Sequence, residues 1–251
     1  MPQSSDSHSH SGRIRFVYFD LGNVLVSFDR ELVCRNLAGL FSGDERFVDE
    51  MLHVGGLQND LESGRVSESQ FAEIIRTKMS TAMCGELGET PPLVDDASIL
   101  RAISDMFTPI ESMRAVLASV RDAGFPIGIL SNTCNAHWSW VNSQSYGVLE
   151  GPFDVCVVSH EVKSMKPDRL IYETAESHAK EIAGASPEQI LFLDDREENV
   201  LAARQYGWNA EVCLGGQAAH DVLVRHGVLT VDSKWDAKSD AVAAAETVFP
   251  S

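Results

Sequence analysis

The chain has 251 residues, of which 44% are hydrophobic, so it is long enough for one large domain or for a domain with an insertion. Its formal net charge of −17 repels phosphate backbones, which argues against nucleic acid as a partner. The same charge would repel an anionic substrate, so a phosphate site here needs local positive charge from a lysine or a metal ion.

The first twelve residues are polar and carry no apolar signal core, so they predict a disordered leader. No apolar stretch is long enough to span a bilayer, and a membrane partner is not expected. Five cysteines occur without a CxxC pair, which is typical of a reducing compartment and favours the cytoplasm. The sequence leaves open whether the protein is a monomer or a homodimer.

Five short β-like runs recur along the chain, at residues 14–19, 126–130, 153–158, 190–193 and 210–214. Helical patterns between and after the later runs cover residues 135–145, 168–181, 197–206 and 217–225. Strands that alternate with helices predict an α/β fold with a Rossmann-like, doubly wound parallel sheet. The strands lack polar alternation, as expected when both faces of a sheet are buried.

The segment from 28 to 107 interrupts this rhythm and contains no convincing strand. Its amphipathic patterns predict helices at residues 30–41, 44–52, 67–80 and 95–105, with a turn at 81–94. Ser67 and Gln70 have the spacing of a capping box, which starts the third helix. We interpret residues 28–107 as a helical cap, 13–27 plus 108–230 as the α/β core, 1–12 as the leader and 231–251 as a tail.

Four polar segments follow predicted strands or lie at their ends. They contain Asp20, Ser131-Asn132, Lys166, and Asp194-Asp195 followed by Asn199. Each segment alone has an ordinary explanation as a turn, a helix cap or an exposed side chain. In a doubly wound sheet, however, strand ends at one edge converge on one crevice. The four segments together therefore predict a single site.

The residue types at this edge suit phosphoryl transfer. Asp20 and Asp195 offer the oxygen ligands that Mg²⁺ prefers, and an aspartate can attack phosphorus to form an aspartyl-phosphate. Ser131 and nearby backbone N–H groups can hold phosphate oxygens, and Lys166 can neutralise charge on the transferring group.

In this order the motifs resemble those of the haloacid dehalogenase (HAD) superfamily, in the branch with a helical cap inserted after the first motif. The roles that this resemblance implies are Asp20 as nucleophile and Mg²⁺ ligand, the Gly22 carbonyl and Asp195 as further Mg²⁺ ligands, Ser131 and Asn132 as phosphoryl-binding residues, Lys166 as the catalytic lysine, and Asp194 and Asn199 as outer support of the metal. Many relatives carry an aspartate where this chain has Asn199, which weakens but does not abolish that support.

Within the superfamily, the opening segment FDLGNVLVSFD is similar to that of bacterial α-D-glucose-1-phosphate phosphatases. The cap segments around His53 and at residues 62–67 are similar as well. This resemblance implies a phosphatase that acts on a small sugar phosphate, without fixing the sugar.

Gly22 stands where most of the superfamily has an aspartate that transfers protons. Such help is typically worth about 10²–10⁴-fold in rate, so its absence favours an activated substrate such as a sugar-1-phosphate. Three residues offer a substitute, and each has an ordinary role that we expect instead. Asp29 caps the first cap helix, Glu62 is solvated, and His137 packs beside Trp138.

Two other functions remain open. A 2-haloacid dehalogenase uses the same kind of Asp nucleophile without a metal, and needs no acid at position 22. Asp194-Asp195 argues against it, because that branch resembles Ser-Ser-Asn there. A non-catalytic binding protein on the same scaffold is the second alternative, and the joint presence of Asp20, Lys166 and Asp195 argues against it.

Overall fold

The computed structural model describes residues 13–86 and 92–231. The leader at 1–12, part of the turn at 81–94 and all but the first residue of the tail therefore lie outside the described residues. The described part contains the strands β1 (Phe16–Phe19), β2 (Val26–Phe28), β3 (Phe107–Pro109), β4 (Ile127–Ser131), β5 (Val155–Val158), β6 (Ile190–Asp194) and β7 (Asn209–Val212).

The described α-helices are α1 (Arg30–Phe41), α2 (Glu45–Asp49), α3 (Leu57–Glu62), α4 (Glu68–Glu86), α5 (Asp96–Ser104), α6 (Ser112–Asp122), α7 (Asn135–Ser143), α8 (Ser159–Val162), α9 (Arg169–Ala183), α10 (Glu197–Gln205) and α11 (Gly216–Arg225). None of these helices combines the length and apolar character needed to cross a membrane.

The five predicted strands form one parallel sheet in the order β5-β4-β1-β6-β7. Alternate residues of β1 belong to two different hydrophobic clusters. Val17 and Phe19 pack in one cluster, and Phe16 and Tyr18 pack in the other. Successive side chains of a strand point to opposite faces, so both faces of this sheet are covered. The predicted α/β fold with a doubly wound parallel sheet is confirmed.

The strand order defines where a ligand is expected. From β1 the chain passes to β4 and β5 on one side, and then returns to β6 and β7 on the other. The connections reverse direction next to β1, and ligands of doubly wound sheets bind beyond the carboxyl ends of the strands at such a reversal. The ends of β1, β4 and β6 thus mark the site.

Helices α1 to α5 form a helical insertion between β2 and β3 with its own hydrophobic cluster, which includes Leu37, Phe41, Phe71 and Ile75. The capping box at the start of α4 is present, since Gln70 N donates to Ser67 Oγ at 3.3 Å and Ser67 N donates to Gln70 Oε1 at 2.9 Å.

The prediction that residues 28–107 contain no convincing strand was wrong at the two ends of the segment, Phe28 and Phe107. Strands β2 and β3 pair antiparallel, with Val26 opposite Pro109 and Phe28 opposite Phe107. Each strand has three residues, and their pairing joins distant parts of the chain, so a local pattern does not reveal it. The pair joins the entrance of the insertion to its exit.

Three further expectations need correction. The turn expected at 81–94 begins later, since α4 continues to Glu86, and residues 87–91 lie outside the described residues. The helix expected at 44–52 is α2 followed by a π-helical turn at Glu50–Val54. Helices α3, α6 and α8 were not predicted. Of these, α3 matters most, because it carries residues of the site.

Candidate active site

Asp20 lies directly after β1, and its backbone N–H extends the sheet by donating to Leu193 O at 2.9 Å. The chain then turns at once. Asn23 adopts the left-handed conformation (φ 55°), which asparagine tolerates better than most residues. Its N–H donates to Val26 O at 2.6 Å. This tight turn holds Gly22 against the site and fixes the carboxylate of Asp20 at the edge of the sheet.

Lys166 joins two of the predicted segments. Its Nζ lies 2.9 Å from Oδ1 of Asp20 and 2.6 Å from Oδ2 of Asp194, and it donates to Leu130 O at 2.8 Å. The side chain is 1% exposed. Burial lowers the pKa of Lys166, but the two carboxylates outweigh burial and raise it. The ammonium group therefore stays charged between the two acids.

Asn132 holds Lys166 from the end of β4. Its Nδ2 donates to Lys166 O at 2.9 Å, and its Oδ1 accepts from Lys166 N at 2.7 Å. The side chain predicted to bind a phosphoryl group is thus engaged with the backbone of the lysine segment. Ser131 is buried beside it and lines the same cavity as Asp20.

The two carboxylates after β6 have different surroundings. Asp194 is fully buried, and its Oδ1 accepts from Arg196 N and from Asn199 Nδ2, each at 2.9 Å. Asp195 is half-buried, and its Oδ2 accepts from Asn23 Nδ2 at 2.9 Å. Asp194 is committed to holding Lys166 and Asn199, whereas Asp195 faces the cavity with fewer contacts.

Ligand oxygens of Asp20, Asp194 and Asp195 all lie within 4.8 Å of one another, close enough to surround one metal ion. Burial raises the pKa of Asp20 to about 7, although Lys166 acts in the opposite direction. Three carboxylates at this spacing repel each other, and one lysine does not neutralise them. A bound cation would offset that excess.

A cavity of about 490 Å³ lies above these residues, between the edge of the sheet and the helical insertion. From the insertion it is lined by Arg30, Leu52, His53, Gln58, Asn59 and Glu62. Arg30, Lys166 and Arg196 supply positive charge at its wall. Each of them is paired with a carboxylate, Arg30 with Asp49, Lys166 with Asp20 and Asp194, and Arg196 with Glu198. A metal ion would supply the further positive charge that a phosphate needs here.

The three substitute acids considered from the sequence have different positions. Asp29 caps α1 by accepting from Leu32 N at 3.0 Å, as predicted. The expectation that Glu62 is solvated was wrong, because its side chain is 13% exposed and lines the cavity. His137 is buried and also lines the cavity, and burial lowers its pKa to about 4.

Sequence reasoning missed most of the residues that the insertion contributes. His53, Gln58 and Asn59 lie on the π-helical turn and on α3, and their sequence resembles that of any exposed helix. Their place in the cavity follows from how the insertion docks on the core, for which the sequence offers no local signal.

The comparison with known families agrees with the fold. Residues 14–207 match the haloacid dehalogenase-like hydrolase family. The chain belongs to that family, and it is a hydrolase with the HAD fold.

Three similar proteins illustrate the range of the family. A D-ribitol-5-phosphate phosphatase of Bacteroides thetaiotaomicron is 24% identical over 78% of this chain and 89% of its own. An (S)-2-haloacid dehalogenase of Pseudomonas fluorescens is 29% identical over 50% of this chain, which spans only 52% of that enzyme. A solved HAD family enzyme of B. thetaiotaomicron, in complex with magnesium and inorganic phosphate, is 26% identical with a TM-score of 0.65, over 80% of this chain and 94% of its own.

Proposed function

We propose that the protein is a Mg²⁺-dependent phosphomonoester hydrolase that acts on a small phosphorylated metabolite through an aspartyl-phosphate. The observation that carries the proposal is the buried contact of Lys166 with Asp20 and Asp194, beside Asp195 and beneath the cavity. Asp20 can act as the nucleophile, the ammonium group of Lys166 is held beside it, and the neighbouring carboxylates can bind a metal ion.

The residues present fit Mg²⁺. Asp20, Asp195 and the carbonyl of Gly22 would hold it, with Asp194 and Asn199 as outer support, and hard oxygen ligands of this kind suit the ion. The contacts of Lys166 Nζ and Leu21 N both fall on Oδ1 of Asp20, which leaves Oδ2 for other partners. When bound, Mg²⁺ would neutralise phosphate oxygens and polarise the phosphoryl group.

The chain's own residues then carry the first chemical step. A carboxylate oxygen of Asp20 attacks phosphorus, and the bond from phosphorus to the leaving oxygen breaks. Lys166 stabilises the charge on Asp20 and on the transferring group. Ser131, with backbone N–H groups near Asn132, holds the phosphoryl oxygens. Water then hydrolyses the aspartyl-phosphate and regenerates Asp20.

We propose that residues 28–107 act as a cap over this site. The insertion supplies one wall of the cavity, and the β2–β3 pair joins its entrance to its exit. Closure of such a segment would exclude water before phosphoryl transfer and select the leaving group.

For the substrate we propose a sugar or polyol phosphate. The D-ribitol-5-phosphate phosphatase supports this class, because its match extends over most of both chains. Gly22 is also compatible with a sugar-1-phosphate, whose leaving group needs less help from an acid.

A 2-haloacid dehalogenase is the second candidate. Two observations favour it, namely the similarity to the P. fluorescens dehalogenase and the lack of an acid at position 22. The clustered carboxylates of Asp20, Asp194 and Asp195 weigh against it, because a metal-free reaction does not need them.

The test is a screen of phosphorylated metabolites for release of inorganic phosphate, with Mg²⁺ or with EDTA, and with Asp20→Asn as the blank. We expect Mg²⁺-dependent release that the variant lacks. Release of chloride from 2-chloropropionate in the presence of EDTA would favour the dehalogenase instead.

A further inference from the structure

Glu62 is a partly buried carboxyl group, with its side chain 13% exposed, in the wall that the insertion contributes to the cavity. Gln58 Nε2 donates to its Oε1 at 2.8 Å, and His137 Nδ1 lies 3.8 Å from the same oxygen. Among the described residues both contacts fall on Oε1, so Oε2 remains for a group inside the cavity. A carboxyl group held at one oxygen and open at the other is arranged to exchange a proton.

The position of Glu62 is fixed relative to the phosphoryl-binding segment. Ser159 Oγ donates to Glu62 O at 2.6 Å and accepts from Thr133 N at 2.9 Å. Ser159 is fully buried, and Thr133 follows Ser131-Asn132 at the end of β4. The insertion also docks closely at Gly64, where an added Cβ would lie 3.2 Å from His160 O. Glu62 is therefore held beside the strand end that would bind the phosphoryl group.

The geometry of phosphoryl transfer then decides where a proton donor is useful. The attacking and leaving oxygens lie roughly in line on opposite sides of phosphorus. Asp20 attacks from the edge of the sheet, so the leaving oxygen departs toward the insertion. Glu62 lines the cavity from that side, whereas Gly22 has no side chain that could reach the leaving oxygen.

We propose that Glu62 is the general acid and base of the hydrolysis, in place of the side chain that Gly22 lacks; this inference rests on the proposed function. As Asp20 attacks and the bond to the leaving oxygen breaks, the Glu62 carboxyl gives its proton to that oxygen. The Glu62 carboxylate then takes a proton from water, whose oxygen attacks phosphorus. The bond from phosphorus to Asp20 breaks, which yields inorganic phosphate, the free carboxylate of Asp20 and a protonated Glu62.

The surroundings of Glu62 support this role. Burial raises its pKa to about 7, and the hydrogen bond from Gln58 and the charges of Arg196 and Lys166 only partly oppose that effect. His137, which faces it from α7, has its pKa lowered by burial to about 4 and is neutral near pH 7. Glu62 can therefore both give and take a proton near neutral pH, where general acid–base catalysis is most efficient.

The experiment compares Glu62→Gln with wild type on two aryl phosphates of similar shape, p-nitrophenyl phosphate and phenyl phosphate, in saturating Mg²⁺. Nitrophenoxide leaves without help, whereas phenoxide needs a proton. We expect kcat/KM for phenyl phosphate to fall by about 10²-fold or more, the range of general acid catalysis, and that for p-nitrophenyl phosphate by a much smaller factor. The decrease of wild-type kcat/KM with rising pH on phenyl phosphate should also disappear in the variant.

Glu31→Gln is the matched control, since Glu31 is an exposed residue of α1 outside this cavity. Thermal unfolding confirms that each variant is folded. Equal losses on both substrates would overturn the inference and assign Glu62 to substrate binding, and so would a Glu62→Gln variant as active as wild type. Wild type without Mg²⁺-dependent activity on either substrate, or activity that persists in Asp20→Asn, would instead refute the proposed function.

Discussion

The Nζ of Lys166 lies 2.9 Å from Oδ1 of Asp20, in a place where the lysine side chain is 1% exposed. At that depth, solvent screens the charges little, and the pair behaves as one unit. Because Lys166 also contacts Asp194 at 2.6 Å, one ammonium group stabilises the negative charge of both carboxylates.

Replacing Lys166 with Met should remove the positive charge that stabilises these two carboxylates. We expect hydrolysis to fall by at least about 10²-fold, the usual cost of losing a charge-stabilising group from an active site. The variant should also be less stable by about 3–5 kcal/mol in EDTA, because two buried carboxylates lose their partner. Steady-state kinetics and urea unfolding measure the two effects. Lys180→Met, at an exposed position of α9, is the control, and a Lys166 variant that matches it would contradict the assignment.

The substitutions Asp195→Asn and Asp194→Asn should have different effects on the Mg²⁺ dependence of the activity. Asp195→Asn removes a proposed metal ligand, so we expect the Mg²⁺ concentration for half-maximal activity to rise by about 10–100-fold, as disturbed metal sites commonly show. Asp194→Asn should mainly lower the rate at saturating Mg²⁺, because Asp194 holds Lys166. Titration of activity with Mg²⁺ separates these effects. The same Mg²⁺ dependence in both variants would refute this division of roles.

Restoring an aspartate at position 22 should compensate for loss of Glu62. A Cβ on Gly22 would lie 3.1 Å from Cε1 of Phe28, and that side chain is 40% exposed, so its ring can move aside. We expect Gly22→Asp in the Glu62→Gln background to recover at least about tenfold in kcat/KM on phenyl phosphate, part of the range of general acid catalysis. A folded double variant no faster than Glu62→Gln alone would argue that the two positions do not share a function.

Glu62 should reduce stability as the pH rises from about 5 to about 8. Its pKa in the folded protein is raised from 4.5 to about 7, so its favourable contribution is complete below the unfolded value and is lost as the pH rises through the folded one. Relative to Glu62→Gln, wild type should lose about 3 kcal/mol of unfolding free energy between about pH 5 and pH 8. Urea unfolding across this range measures the difference. A difference that is constant with pH would show that Glu62 is solvated in solution.

The sequence predicted the core of this fold because its signals are local. Buried strands such as Phe16–Phe19 are continuous apolar runs, and Asp20, Ser131 and Asp194 lie at the ends of β1, β4 and β6. The order of those residues along the chain matched a known family. The sequence therefore predicts that Asp20, Lys166, Asp194 and Asp195 share one site, and the structure brings their side chains together.

What the sequence did not reveal depends on contacts between distant segments. The β2–β3 pair forms because the insertion returns to its starting point. Glu62 looked like a solvated residue of a short polar segment, but the bond from Ser159 Oγ to its carbonyl holds it against the core. This hydrogen bond joins residues 97 positions apart, so no local sequence pattern predicts that the side chain of Glu62 is largely shielded from solvent.

We propose that Asp20 carries the phosphoryl group during turnover. Quenching the protein in acid during hydrolysis of a phosphate ester in Mg²⁺, followed by mass spectrometry, locates the phosphoryl group. We expect phosphorylation of the peptide that contains Asp20, at that residue, and none in Asp20→Asn or in EDTA. Phosphate release that continues in Asp20→Asn, or a phosphoryl group on another residue, would contradict it.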